Sequence, residues 1–111
     1  MGYNLIFLSN CKHLYMKEHI EKFHLDDYFC AFYCAEDYDF MPKPEIFNLI
    51  KEAYSGEHII IGDRFFDMEV AKIHELPSIG CAYGYCDEGE LDCATIVVSH
   101  PDEIIDALSK L

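Results

Sequence analysis

HIIIGDRFFDMEVAKIH, residues 58–74, is the stretch that decides the fold. His58 to Ile61 is short enough for a buried strand and stops at Gly62-Asp63. From about Phe65 to His74 the apolar positions Phe66, Val70 and Ile73 return at helical spacing. A continuous apolar strand that turns directly into a helix is the repeating unit of a parallel sheet covered on both faces.

The same grammar holds on either side. Asn4 to Leu8 is apolar and runs into Ser9-Asn10, after which Lys12 to His24 spaces Leu14, Ile20 and Phe23 as a helix does. Phe29 to Cys34 is a second strand. An acidic loop then leads to a helix from Pro44 to Tyr54 with Ile46, Phe47, Ile50 and Ala53 on its apolar face. Downstream, Ser78 to Ala82 is a fourth strand and Thr95 to Val98 a short edge strand. Pro101 opens a last helix through Leu108, at the helical position that tolerates proline best. The class is α/β, and 111 residues suit a single domain. In such sheets ligands bind beyond the carboxyl ends of the strands, so Ser9, Asn10, Asp63 and the loop before Lys43 are expected to face one crevice.

Each of these residues has a chemical reading and a structural one. The hydroxyl of Ser9 and the amide of Asn10 can donate to a phosphate oxygen, and both types also cap helices and form turns. Lys43, between Pro42 and Pro44 at a helix start, sets a cation against the positive end of the helix dipole. That local conflict is explained if lysine and helix amides together hold an anion. Asp63 and Asp67, four apart, put two carboxylates on one side of the next helix start. Two hard oxygen donors suit magnesium, which keeps its other positions for water and substrate phosphate; the structural reading has Asp63 cap the helix and Asp67 complement its dipole.

Taken together and in order, LIFLSN, KPEIFNLI, IIIGDRFFDMEVAK and IGCAYGY resemble the haloacid dehalogenase superfamily, nearest its phosphoglycolate-phosphatase-like branch, from about Leu5 to Leu108. The resemblance implies a Rossmann-like core of mostly parallel sheet with helices on both faces, here a partial core over residues 1–111 with no cap domain. It implies that Ser9 and Asn10 bind the transferring phosphoryl group, that Lys43 neutralises phosphate and nucleophile, and that Asp63 and Asp67 hold Mg2+. The ligand is then a phosphorylated small molecule or phosphate, in a reaction carried mostly by positioning and charge stabilisation.

The departure from the family lies at the start. The family's first motif is an Asp-x-Asp after a first strand, whose first Asp becomes the aspartyl-phosphate, and only Met1-Gly2-Tyr3 precede Asn4. Asp37-Tyr38-Asp39 is no substitute, since it follows the Ser-Asn turn and lacks the small residue and Thr that the motif requires. The chain is therefore expected to be truncated at its N-terminus and inactive alone. By resemblance the missing strand is central, and its loss would leave backbone groups unpaired at about 1 to 3 kcal/mol each. Three outcomes are expected: the neighbouring strands close up, another polypeptide supplies the strand, or the chain is a dimeric, non-catalytic module that binds phosphate or a protein.

Composition narrows the partners. Eight Lys and Arg against a net charge of −13 speak against nucleic acid and against an anionic membrane surface. No apolar run approaches the roughly 20 residues of a membrane span, and no secretory signal opens the chain, so a cytoplasmic protein is expected. Six cysteines without a CxxC pair read as reduced core or surface residues, and six histidines without paired metal spacing read as ordinary.

Overall fold

The computed structural model describes residues 3–84 and 87–111. Tyr85, the last residue of the IGCAYGY stretch, and Cys86 after it lie outside the described residues. The elements run β1 (Leu5–Ser9), α1 (His13–Phe23), β2 (Phe29–Cys34), α2 (Lys43–Ala53), β3 (Ile60–Gly62), α3 (Phe65–His74), β4 (Ser78–Cys81), β5 (Ile96–Val98) and α4 (Glu103–Ser109). Short 3-10 turns occupy Leu25–Asp27 and Ala35–Tyr38. Strand and helix alternate as the periodicity predicts, and every pairing among the described strands is parallel. Two compact units divide the chain, one running to Leu49 and one from Ile50 to Leu111.

In the first unit β1 pairs with β2, from Leu5 opposite Phe29 to Ser9 opposite Cys34. Parallel neighbours need a long crossover, which α1 and the Leu25–Asp27 turn provide. Phe7 meets Phe29 edge-on at 6.0 Å between ring centroids and Phe32 at 5.9 Å, so aromatic packing covers the pair. The buried residue of α1 is Met16; Leu14 and Phe23 are exposed, contrary to the face read from spacing. Several apolar residues ring this helix, and spacing alone leaves the choice of inward stripe open.

The second unit has the strand order β3-β4-β5, with β4 buried along its whole length, as a central parallel strand should be. Ile79, Cys81, Val98 and Ala107 form its core, with Ile59, Ile96, Ile104 and Leu108 packed against them. Ser78, the polar residue buried here, accepts the Thr95 N–H at 3.2 Å while Thr95 Oγ1 accepts the Ser78 N–H at 3.1 Å. In α3 the buried face is Met68, Val70 and Ala71; Phe66 and Ile73 point to solvent, a second correction to the spacing. The last helix begins at Glu103 and not at Pro101, whose carbonyl instead takes the Ile104 N–H at 3.1 Å in a preceding turn. The strands thus form two sheets, where alternation predicts one. Alternation encodes parallel direction and buried strands, but not which strand neighbours which. Among the described residues no helix is long and apolar enough to cross a membrane.

Candidate functional site

Ser9 ends β1, half-buried, and its Oγ accepts the Cys11 N–H at 3.3 Å, so the hydroxyl shapes the turn into α1. Accepting there uses a lone pair and leaves the donor function of the hydroxyl intact. Asn10 follows, exposed. Neither caps α1: the N-cap is Lys12, which makes no side-chain cap, and the His13 N–H is taken by Glu36 Oε1 at 3.0 Å. Beside that bond, His13 Nδ1 lies 3.0 Å from Asp37 Oδ2. Hydrogen bonds from His13 and from the Cys34 thiol hold the Asp37 carboxyl below its ordinary range.

Lys43 is the first residue of α2, half-buried in the same unit. The carbonyl of Pro42 receives the Glu45 and Ile46 N–H groups at 2.9 and 3.1 Å, and Pro44 falls in the first turn, where a missing N–H costs no intrahelical bond. Asp39 and Phe40, both at φ 56°, bend the chain sharply before it. An L-residue in that region is held against about 1 to 2 kcal/mol. The Asp37-Tyr38-Asp39 sequence is spent on this turn, with Asp37 on His13 and Asp39 left-handed.

In the second unit Gly62 ends β3, Asp63 follows, Arg64 is the extended N-cap of α3, and Asp67 falls in the first turn. Asp63 is thus not the cap; Asp67 Oδ2 does reach back to the Arg64 N–H at 3.3 Å. A Cβ on Gly62 would fall on the Cβ and carboxylate of Asp67, and a Cβ on Gly84 on those of Asp63. Each carboxylate is seated in the space that a glycine leaves. Magnesium fits this donor set: the oxygens are hard and the two residues share one helix start. Gly84 belongs to the IGCAYGY stretch, but its contact with Asp63 exists only once the loop after β4 and the turn after β3 meet.

Tyr83, next to Gly84, has its phenol pushed up to about 12, first by a hydrogen bond with Cys81 and then by burial, with the Asp63 charge adding a little. It stays protonated at neutral pH. Glu90 was invisible in the sequence. Its Oε2 accepts from Arg64 Nε at 2.9 Å and from the Phe65 N–H at 3.1 Å, and its Oε1 accepts from Arg64 Nη2 at 3.2 Å. One side chain therefore pairs the guanidinium bidentately and caps α3. The paired guanidinium holds the Glu90 carboxyl below its usual value, and Glu90 in turn raises Arg64.

The haloacid dehalogenase-like hydrolase family matches residues 1–81. A phosphoglycolate phosphatase of Agrobacterium fabrum is 29% identical over 99% of this chain, and the chain spans 46% of that relative's length. The crystal structure of a predicted phosphatase from Clostridium acetobutylicum superposes with a TM-score of 0.85 at 28% identity, over 99% of this chain and 54% of that one. A haloacid dehalogenase-like hydrolase from Streptococcus pneumoniae, 16% identical, shares the fold with a TM-score of 0.81 over 96% of this chain and 53% of its own. The chain thus spans about half the length of the proteins it matches.

Proposed function

The chain belongs to the haloacid dehalogenase-like hydrolase family, and from that premise we propose that it supplies the phosphate-binding and magnesium-binding segments of a phosphomonoester hydrolase. The observation that carries this reading is the seating of Asp63 and Asp67 against Gly84 and Gly62. Both carboxylates lie against glycines beside one helix start, where a larger residue would meet them. Asp63 and Asp67 hold the cation, which when bound would neutralise charge on the phosphoryl oxygens. Ser9 and Asn10 orient the phosphoryl group through their hydroxyl and amide. Lys43 holds positive charge at the start of α2, where helix amides also favour an anion.

On this reading the nucleophile is not among these 111 residues: Asp37 lies in the Ala35–Tyr38 turn and Asp39 closes it. We assign turnover to the assembly of this chain with a strand that brings the nucleophilic Asp, and phosphate binding to the chain itself. The test is hydrolysis of a generic phosphomonoester by the purified chain, with and without Mg2+ and with and without an added Asp-bearing strand segment. Expected is no turnover alone and magnesium-dependent turnover with the segment. Asp63→Asn should lower that turnover by about 100-fold or more, the scale of losing one preorganised charge-stabilising group. Phosphate binding that persists while every mixture stays inactive would replace this reading with a non-catalytic binding module.

A further inference from the structure

The turn that begins α1 holds a second group of donors which the phosphatase reading leaves unused. Cys34 closes β2 directly opposite Ser9, His13 opens α1, and Asp37 lies in the Ala35–Tyr38 turn. One ligand atom from each, imidazole nitrogen, thiol sulfur and carboxylate oxygen, lies within 4.8 Å of the other two. A tetrahedral zinc with bonds of about 2.0 to 2.3 Å sets its ligand atoms roughly 3.3 to 3.7 Å apart, so the three need only small side-chain adjustments to share one ion.

The arrangement is built from both sides. Cys34 is fully buried and fixed by the β1–β2 ladder, whereas His13 and Asp37 keep 54% and 41% of their side chains exposed, so the group is closed below and open above. The Glu36 to His13 N–H bond at 3.0 Å ties the two turns together without using any of the three donors. Cys11, in the turn after Ser9, brings a second sulfur to the neighbourhood of the Cys34 thiol. Sulfur and imidazole beside one carboxylate select zinc or a similar borderline ion and not magnesium, which prefers oxygen alone. We propose that His13, Cys34 and Asp37 form a zinc-type site with its fourth position open to solvent, distinct in residues and in donor softness from Asp63 and Asp67.

Without metal, the same atoms form a hydrogen-bonded group in which Asp37 accepts from both neighbours. Zinc would displace the thiol proton and bind the His13 Nδ1 in the neutral tautomer that carries its proton on Nε2, because thiolate and neutral imidazole are its ligands. Titration of the metal-free chain with cobalt(II), followed by zinc, tests the site independently of any hydrolysis. Expected is one equivalent of cobalt with a thiolate-to-metal charge-transfer band, bleached by zinc and untouched by magnesium. Cys34→Ser should abolish the band. His13→Gln, on an exposed residue whose replacement spares the core, should weaken binding by at least about tenfold. Asp63→Asn should leave the band in place. Absence of a charge-transfer band, or a band unchanged in both His13→Gln and Cys34→Ser, overturns the proposal and leaves a hydrogen-bonded turn or metal on other cysteines.

Discussion

The starts of α1 and α3 solve one problem with different chemistry. Each follows a parallel strand through a short turn, and neither N-cap, Lys12 or Arg64, has its own side-chain cap bond. In both a glutamate from a distant segment takes the first helical N–H: Glu36, 23 residues from His13, and Glu90, 25 residues from Phe65. Beside that shared device the neighbours diverge. At α1 they are an imidazole, a buried thiol and a carboxylate; at α3 a bidentate guanidinium pair and two carboxylates seated on glycines. A helix start that caps itself from afar can be rebuilt for soft or hard donors without changing the backbone plan, because the cap fixes the turn and the flanking side chains set the chemistry.

The largest expected effect falls on the glycines of the α3 turn. Gly62→Ala and Gly84→Ala each place a Cβ on the Cβ of an aspartate, an atom that cannot swing aside as a side-chain tip can. Overpacking of this kind costs about 1 to 3 kcal/mol. For a domain of this size that is several degrees in Tm, readable by thermal denaturation, and magnesium binding should fall with it. Ser9→Ala in the α1 turn removes one side-chain bond to Cys11 and should cost only about 0.5 to 1.5 kcal/mol. Equal melting of Gly84→Ala and the parent chain would mean that Asp63 is not held there.

The same contrast explains what could be read from sequence. β2 and α3 have the bounds that periodicity predicts, and Ile46, Phe47 and Ile50 are buried as expected, because local spacing encodes local structure. Gly62-Asp63 and Asp67 stand out for the same reason. Glu90 does not, and neither does the contact of Gly84 with Asp63, since each acts on residues more than 20 positions away. By sequence alone His13, Cys34 and Asp37 are an ordinary histidine, a core thiol and a loop acid, and only the pairing of β1 with β2 brings them together. The exposed Leu14, Phe23, Phe66 and Ile73 fail differently: too many apolar residues satisfied the helical period, and only tertiary packing selected among them.

A middle-sized effect should separate the two distant caps. Glutamine keeps a carbonyl for the helix N–H and removes only charge, so Glu90→Gln should lower Tm more than Glu36→Gln, the Arg64 pair being lost as well. Glu90 is held below its ordinary 4.5 when folded, so its contribution is complete above that value and is lost as pH falls through the lower, folded one. Asp37, below its ordinary 3.8, behaves likewise at slightly more acid pH. Urea midpoints measured from neutral pH downward should therefore drop in the parent chain and drop less in Glu90→Gln. Salt should shrink the difference, because the Arg64–Glu90 pair is only partly buried, with 42% of the Arg64 side chain and 16% of the Glu90 side chain exposed. Identical acid slopes in parent and variant would show that the Arg64–Glu90 pair does not govern the α3 turn.

The smallest effect lies at the opposite ends of the same two helices, where the devices match in backbone and differ in charge. His24 closes α1 at φ 52° and ψ 43°, and Glu75 closes α3 at φ 54° and ψ 49°, both left-handed. Glycine at either site relieves about 1 to 2 kcal/mol of backbone strain. It returns about 0.5 to 1 kcal/mol through the greater freedom of the unfolded chain. Glu75 also sets a negative charge against the negative end of the helix dipole, an opposition worth about 0.3 to 1 kcal/mol that glycine removes. His24 carries no such conflict. Glu75→Gly should therefore raise the urea midpoint more than His24→Gly does. Equal gains would assign the whole effect to backbone conformation, and a loss at His24 alone would show that its side chain, and not only its αL geometry, secures the end of α1.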